Sequence, residues 1–330
     1  MIAREDCSVS TYAYIERPLQ EAVLTLAEAG WKQIEIMCEG GHEEILVWPE
    51  ARLAELKRTG EAYGIRWSLH APITGCNPAA RDEAEMARSE HLLVETLRVA
   101  EYLGCRHVVL HAGSEEVPGA GFAGKSSGSM PADTEEEAAL PQAEPPSGNE
   151  AAVGLAEGKR AAEPAGVGGK AGFEAATESA KRRIVGFLTR VLERTAGGGA
   201  VIALENVPPY PGLLGVEVSF LRAVADEIDS PRVGLVFDCG HAHMTGSGRC
   251  LLMLQQAMSR LVALHLSDNA GEADDHLGLG GGTVPIEAMV AWLVACGYRG
   301  SWVLEMRKPK DLQPSADRLQ SLTRQFSSSF

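Results

Sequence analysis

The chain has 330 residues, 45% hydrophobic and 23% charged, with a formal net charge of −15. That balance is ordinary for a globular protein and long enough for one large domain with a buried core. Its acidity disfavours a nucleic-acid partner, which reads as a basic footprint. No apolar run is long enough for a transmembrane helix, so no membrane partner is expected. Residues 1–6 lack the apolar stretch of a secretory signal. Seven scattered cysteines without a C-x-x-C pair suit reduced thiols. Together these features predict a cytoplasmic protein.

Short β-like runs alternate with longer amphipathic stretches. Residues 7–11 predict a strand and 18–29 a helix ending before Gly30. A strand at 33–37 precedes a helix at 49–63, and a strand at 66–70 precedes a helix at 82–103. The fourth strand is expected at 107–111. Residues 115–175 then break the pattern: Ala, Gly, Pro, Ser and Glu supply 45 of their 61 positions. Such a stretch buries too little apolar surface to offset its ordering entropy, so it reads as a disordered or low-complexity insertion. A small helical cap is the other reading. With 11 acidic and 4 basic residues it also carries about half of the net charge.

The alternation resumes with a helix near 177–195 and a strand at 201–205. Then follow a helix near 216–228, a strand at 233–238, a helix at 248–258 and a strand at 261–265. A helix at 285–296, a strand at 301–305 and a helix at 314–326 complete the chain. Several helices begin at Pro and end at Gly, as the unpaired backbone groups of helix ends favour. Eight strands, each followed by a helix, imply parallel pairing. The turn after strand one has no glycine for a phosphate loop, so a closed (β/α)8 TIM barrel is expected over an open sheet.

Polar, metal-capable residues close most strands. They are His70 on strand three, His111 on four, Glu205 on five, Asp238 and then His241 on six, His265 on seven and Glu305 on eight. The loop after strand seven adds Asp274 and His276. In a barrel all strand C-termini meet at one rim, so these residues converge there. Imidazole and carboxylate ligands suit Zn, Mn, Co or Fe. One strand-end His is ordinary; the set inside apolar runs is costly without an ion.

With these motifs the sequence resembles the xylose isomerase-like barrel superfamily. The motifs are H-A-P at His70, H-x-G-S at His111, L-E-N at Glu205 and F-D-x-G-H at Asp238. H-L-x-D at His265, D-x-H-L-x-L-G at Asp274 and L-E at Glu305 complete the set. The superfamily contains sugar isomerases and epimerases, and also endonuclease IV-type abasic-site (AP) nucleases (AP endonuclease family 2).

The isomerase branch implies one divalent ion (Mn, Co, Mg or Zn) on Glu205, Asp238, His265 and Glu305. There the two glutamates also move the proton through an enediolate, as catalytic residues in carbohydrate metabolism. His241, His70 and Arg307 would contact the sugar or sugar phosphate. The nuclease branch implies up to three zincs, adding His70, His111, His241, Asp274 and His276. The acidic insertion directly after the rim residue His111 weighs against duplex DNA. A metal- and sugar-binding barrel without catalysis is the third reading, and a homo-oligomer is compatible with all three. One departure stands out: Gly278 and Gly281 occupy positions where the resemblance implies Pro and Glu.

His42, His91, His107 and His243 fit no ligand position and read as packing or surface residues, as do the five tryptophans. Tyr12 is placed at the pocket edge. Asn206 reads equally as an orienter of the neighbouring ligands or a plain cap. The basic run from Lys181 to Arg183 reads as a solvated face.

Overall fold

The computed structural model describes residues 7–115, 167–246 and 248–327. Most of the anticipated insertion, residues 116–166, lies outside them. Eight parallel strands close into a barrel in sequential order. They are β1 (Cys7–Ser10), β2 (Gln33–Met37), β3 (Arg66–His70), β4 (His107–His111), β5 (Val201–Glu205), β6 (Val233–Asp238), β7 (Leu261–Leu266) and β8 (Ser301–Leu304). The helices are α1 (Leu19–Glu28), α2 (Glu50–Tyr63), α3 (Glu83–Leu103), α4 (Val167–Arg194), α5 (Val218–Ile228), α6 (Cys239–Met244), α7 (Arg249–Ala257), α8 (Ile286–Ala295) and α9 (Leu312–Ser327).

The chain divides into two compact units, residues 1–121 with 179–330, and residues 122–178. The first is the barrel. Of the second, only residues 167–178, the start of α4, are described, so α4 begins inside the stretch assigned to the insertion. Among the described residues no helix is long and apolar enough to cross a membrane.

Helix ends follow terminus chemistry. Gly64 and Gly104 close α2 and α3 in the left-handed conformation, at φ +66° and +72°. Asp82 caps α3 by accepting from Glu85 N–H. α9 starts at Leu312, two residues before the expected Pro314. Proline fits there because first-turn N–H groups need no partner in the helix.

Strand alternation separates two apolar regions. Ile202, Leu204, Leu235, Phe237, Leu264, Trp302 and Leu304 belong to the large core between barrel and helices. Val109, Ala203, Val236 and Ala263 form a separate small cluster that fills the barrel. Two residues further along these four strands, hence on the same inward face, stand His111, Glu205, Asp238 and His265. The period that fills the barrel with small residues therefore also aims the polar strand ends into its mouth. The tryptophans pack as expected; Trp67 lies against Gly60 of α2, where even a Cβ would overlap its indole.

Candidate metal centre at the barrel mouth

The site is built from the strand ends inward. β4 and β5 set His111 beside Glu205, and β6 and β7 set Asp238 beside His265. Their side chains form three connected groups able to hold metal ions: His70, His111 and Glu205; Glu205, Asp238, His265 and Glu305; and His241, Asp274 and His276. All nine residues anticipated from the sequence are thus brought together, with Glu205 common to two groups.

Glu205 Oε2 lies 3.1 Å from His70 Nε2 and 3.0 Å from His111 Nε2. Its Oε1 lies 2.6 Å from His265 Nδ1, which is 3.3 Å from Glu305 Oε2. Asp274 Oδ2 lies 3.2 Å from both His241 Nε2 and His276 Nε2.

Three of the imidazoles have their orientation set by the backbone. His70 Nδ1 lies 2.7 Å from the Ala71 carbonyl, His241 Nδ1 2.8 Å from the Asn206 carbonyl, and His276 Nδ1 2.8 Å from the Glu305 carbonyl. A carbonyl only accepts, so each Nδ1 carries the proton and donates. Each Nε2 is thereby aimed at a carboxylate, the arrangement that orients metal-binding imidazoles.

Asp238 caps the short helix α6. Its Oδ1 accepts from His241 N–H at 2.7 Å, while Oδ2 has no hydrogen-bond partner. Glu205 Oε1, Glu305 Oε1, Asp274 Oδ1 and His265 Nδ1 are also buried without an aligned hydrogen bond. Buried, unsatisfied polar atoms are expensive. Their convergence with this donor set fits bound divalent ions.

The electrostatics agree. Burial alone would raise the Glu205 carboxyl, yet His265, His111 and His70 hold it well below the usual carboxylate range. Burial would also raise Glu305, but His265 brings it down. Burial and the neighbouring Glu205 and Glu305 charges lift Asp238 to about 6, against the pull of His241 and His276. Burial opposes charge on His276, but Asp274 raises it to about 9. Burial likewise disfavours charged His241 and His265, and the surrounding carboxylates push both well above normal. Without metal, protons on imidazoles supply the positive charge these carboxylates require.

Asn206 acts as an orienter. Its side chain donates to the Asp238 carbonyl and accepts from Asp238 N–H, both at 2.9 Å, tying the ends of β5 and β6 together. Tyr12 does line the mouth, its ring centroid 5.0 Å from that of His276. Arg307 is half-buried beside the third group, its Nη2 donating to the Asp274 carbonyl at 3.3 Å. Beside His111 a cavity of about 170 Å³ opens between Ile73, Cys76, Asn77, Val207 and Leu213. His42 is buried, His91 exposed, and His243 half-buried against Thr283. Lys181 pairs with Glu227 at 3.0 Å, and Arg183 binds the Ala79 carbonyl and Glu115, so this run is tied into the fold rather than simply solvated.

Two buried acids gain roles the sequence reading did not assign. Glu35 of β2 lies 3.0 Å from His265 Nε2 and 3.4 Å from His107 Nε2. Its signal was an acid inside an apolar strand. Asp268, present only as the last letter of H-L-x-D, accepts three backbone N–H groups of the loop that carries Asp274 and His276.

Comparison with known proteins places this geometry in a family. An uncharacterized protein of Methanocaldococcus jannaschii is 23% identical over 94% of this chain and 87% of its own length. An inosose isomerase of Halalkalibacterium halodurans is 27% identical over 144 residues, 42% of this chain and 50% of that one. Among solved structures, a D-tagatose 3-epimerase-like protein aligns with TM-score 0.74 at 20% identity, over 98% of this chain and 99% of that one. The zinc-bound IolI protein aligns with TM-score 0.64 at 17% identity, over 98% and 97%. At these identities the structural likenesses speak for the fold. The family profile matches residues 23–138 and 156–325, and the chain belongs to the xylose isomerase-like TIM barrel family.

Proposed function

We propose that the protein is a divalent-metal-dependent isomerase or epimerase of a sugar or sugar phosphate. The observation that carries the reading is the pair of buried carboxylates, Glu205 and Glu305, flanking His265 Nδ1 with Asp238 completing the group. The names of the inosose isomerase and the D-tagatose 3-epimerase-like protein support it. Glu205, Asp238, His265 and Glu305 would hold the ion, which supplies Lewis acidity toward substrate carbonyl and hydroxyl oxygens.

The two glutamates act as the bases. Both are held below the usual carboxylate range, so each is ionised near neutral pH and able to accept a proton. One takes the proton from the carbon beside the carbonyl. A solvent-derived proton delivered by way of the other glutamate to the opposite face inverts that carbon, the first glutamate then releasing its proton to solvent. Return by the same glutamate to the former carbonyl carbon, with the hydroxyl proton passing to the former carbonyl oxygen, isomerises the sugar. His241, His70 and Arg307 would hold substrate oxygens. The test is solvent deuterium incorporation into a panel of ketoses and ketose phosphates by metal-loaded protein. Incorporation that survives both Glu205→Gln and Glu305→Gln refutes the mechanism.

One observation favours a second reading. The groups His70–His111–Glu205 and His241–Asp274–His276 exceed what a single-ion isomerase needs. Three zincs per chain with incision of duplex DNA at a synthetic abasic residue would assign the protein to phosphodiester hydrolysis instead. The net charge of −15 works against such a substrate.

A further inference from the structure

We propose that Glu35, in the middle of β2, is the positioning residue that aims His265 at the metal centre. This rests on the reading that Glu205, Asp238, His265 and Glu305 hold an ion.

His70, His241 and His276 each turn Nε2 toward a carboxylate because a backbone carbonyl takes Nδ1. His265 is turned the other way. Its Nδ1 faces Glu205 and Glu305, and its Nε2 faces Glu35 Oε1 at 3.0 Å. A carboxylate at ion-pair distance thus stands behind His265 where hydrogen-bonded main-chain carbonyls stand behind the other three.

Glu35 is itself held from two further strands. Ser68 Oγ–H of β3 donates to its Oε2 at 3.0 Å, and His107 Nε2 of β4 lies 3.4 Å from the same oxygen. Glu35 and Ser68 are also register partners across β2 and β3. Glu35 and His265 are both 0% exposed. The Glu35–His265 contact is an ion-pair distance without hydrogen-bond alignment, since neither Oε1 nor Nε2 has an aligned partner.

Such a polar layer is costly. A buried carboxylate between Ile34 and Ile36 stabilises the fold less than a well-packed apolar side chain would. Its position behind a ligand accounts for it: carboxylate–histidine–metal triads fix the ring and raise its basicity. The same anchoring explains His107, which touches no ligand group yet is buried.

The test is zinc affinity of metal-free protein, measured by competition with a chromophoric chelator, beside urea unfolding of each variant. Glu35→Ala and Glu35→Gln are compared with Ser68→Ala, which removes a hydroxyl from the same layer without touching His265. The expected result is that one zinc equivalent per chain weakens about 10- to 100-fold in Glu35→Ala. Glu35→Gln, which keeps an oxygen but loses the charge, weakens less, and Ser68→Ala leaves zinc binding within about threefold. Cobalt loaded into Glu35→Gln shows an altered absorption spectrum, which a merely structural role would not produce.

A folded Glu35→Ala or Glu35→Gln protein that binds zinc like the wild type overturns the proposal. Affinity that tracks unfolding free energy across all three variants, or wild-type protein that binds no zinc, does the same. Normal zinc binding without deuterium incorporation refutes the isomerase reading alone.

Discussion

Asp268→Asn tests how the third ligand group is assembled. Asp268 is 1% exposed. Its Oδ1 accepts from Asn269 N–H and Val284 N–H, both at 2.9 Å, and its Oδ2 accepts from Gly280 N–H at 2.8 Å. Its backbone also exchanges two hydrogen bonds with Leu277. These bonds clamp the loop that holds His276 at φ +47°, a left-handed conformation unfavourable for a residue with a Cβ. Asparagine with its carbonyl toward Asn269 and Val284 keeps two bonds and turns an NH₂ toward Gly280 N–H. One charge-assisted bond, worth about 1.5–3 kcal/mol, is lost, and a buried donor is left facing another donor. The expected destabilisation is about 2–4 kcal/mol in urea unfolding. Any zinc the wild type binds beyond the one equivalent on Glu205, Asp238, His265 and Glu305 should be lost selectively from the His241–Asp274–His276 group. Gly282→Ala reaches the same loop independently, because its Cβ would overlap the Asn269 carbonyl and Asp268 Oδ1. Wild-type zinc content together with an unfolding free energy within about 0.5 kcal/mol of wild type, the size of an ordinary surface change, would refute the reasoning.

The remaining predictions concern chemistry, charge and stability. Glu205→Gln and Glu305→Gln should each lower deuterium exchange about 10²- to 10⁴-fold, the range for a lost general base, and each should also weaken zinc binding. Arg307→Gln should raise KM for a ketose phosphate about tenfold or more, the value of one charged hydrogen bond, while sparing neutral ketoses; equal effects on both would refute a phosphate contact. Zinc at 100 times its Kd should raise unfolding free energy by about 2.7 kcal/mol, removable by chelator; an unchanged midpoint would argue against ion binding by the native fold. Burial lowers the folded-state pKa of His42, although the Arg17 carbonyl opposes this. The unfolded chain therefore binds the proton first. Stability should fall as pH drops below about 6.5, by at most about 1.4 kcal/mol per pH unit, until the folded-state pKa is passed. In His42→Gln that part of the slope should vanish.

The barrel was legible because its strands are buried on both faces and so read as short apolar runs with sharp ends. The bounds expected for β2, β3, β4, β5 and β6 coincide with the structure. The ligands were legible for the same reason: His70, His111, Glu205 and Asp238 are the residues at which those runs stop. The short helix α6 was not anticipated, since six residues are too few to establish a helical period. It is organised by Asp238 as its cap, so one carboxylate both ends β6 and turns His241 into the site.

Glu35 and His107 escaped for a different reason. Period-two alternation tells which face of a strand a residue occupies, but not its depth along the barrel axis. Glu35 shares the inward face with Met37, and His107 shares it with Val109 and His111. One residue pair before a strand end, as for Glu35, or two, as for His107, a polar side chain points into the barrel floor rather than its mouth, where it meets other side chains. Whether it supports the site depends on strand stagger around the closed sheet. In this barrel the stagger brings mid-β2 under the end of β7: Glu35, in register with Ser68, reaches His265, the last residue but one of β7. Closure thus converts an acid buried in the middle of a strand into the support of a ligand 230 residues away.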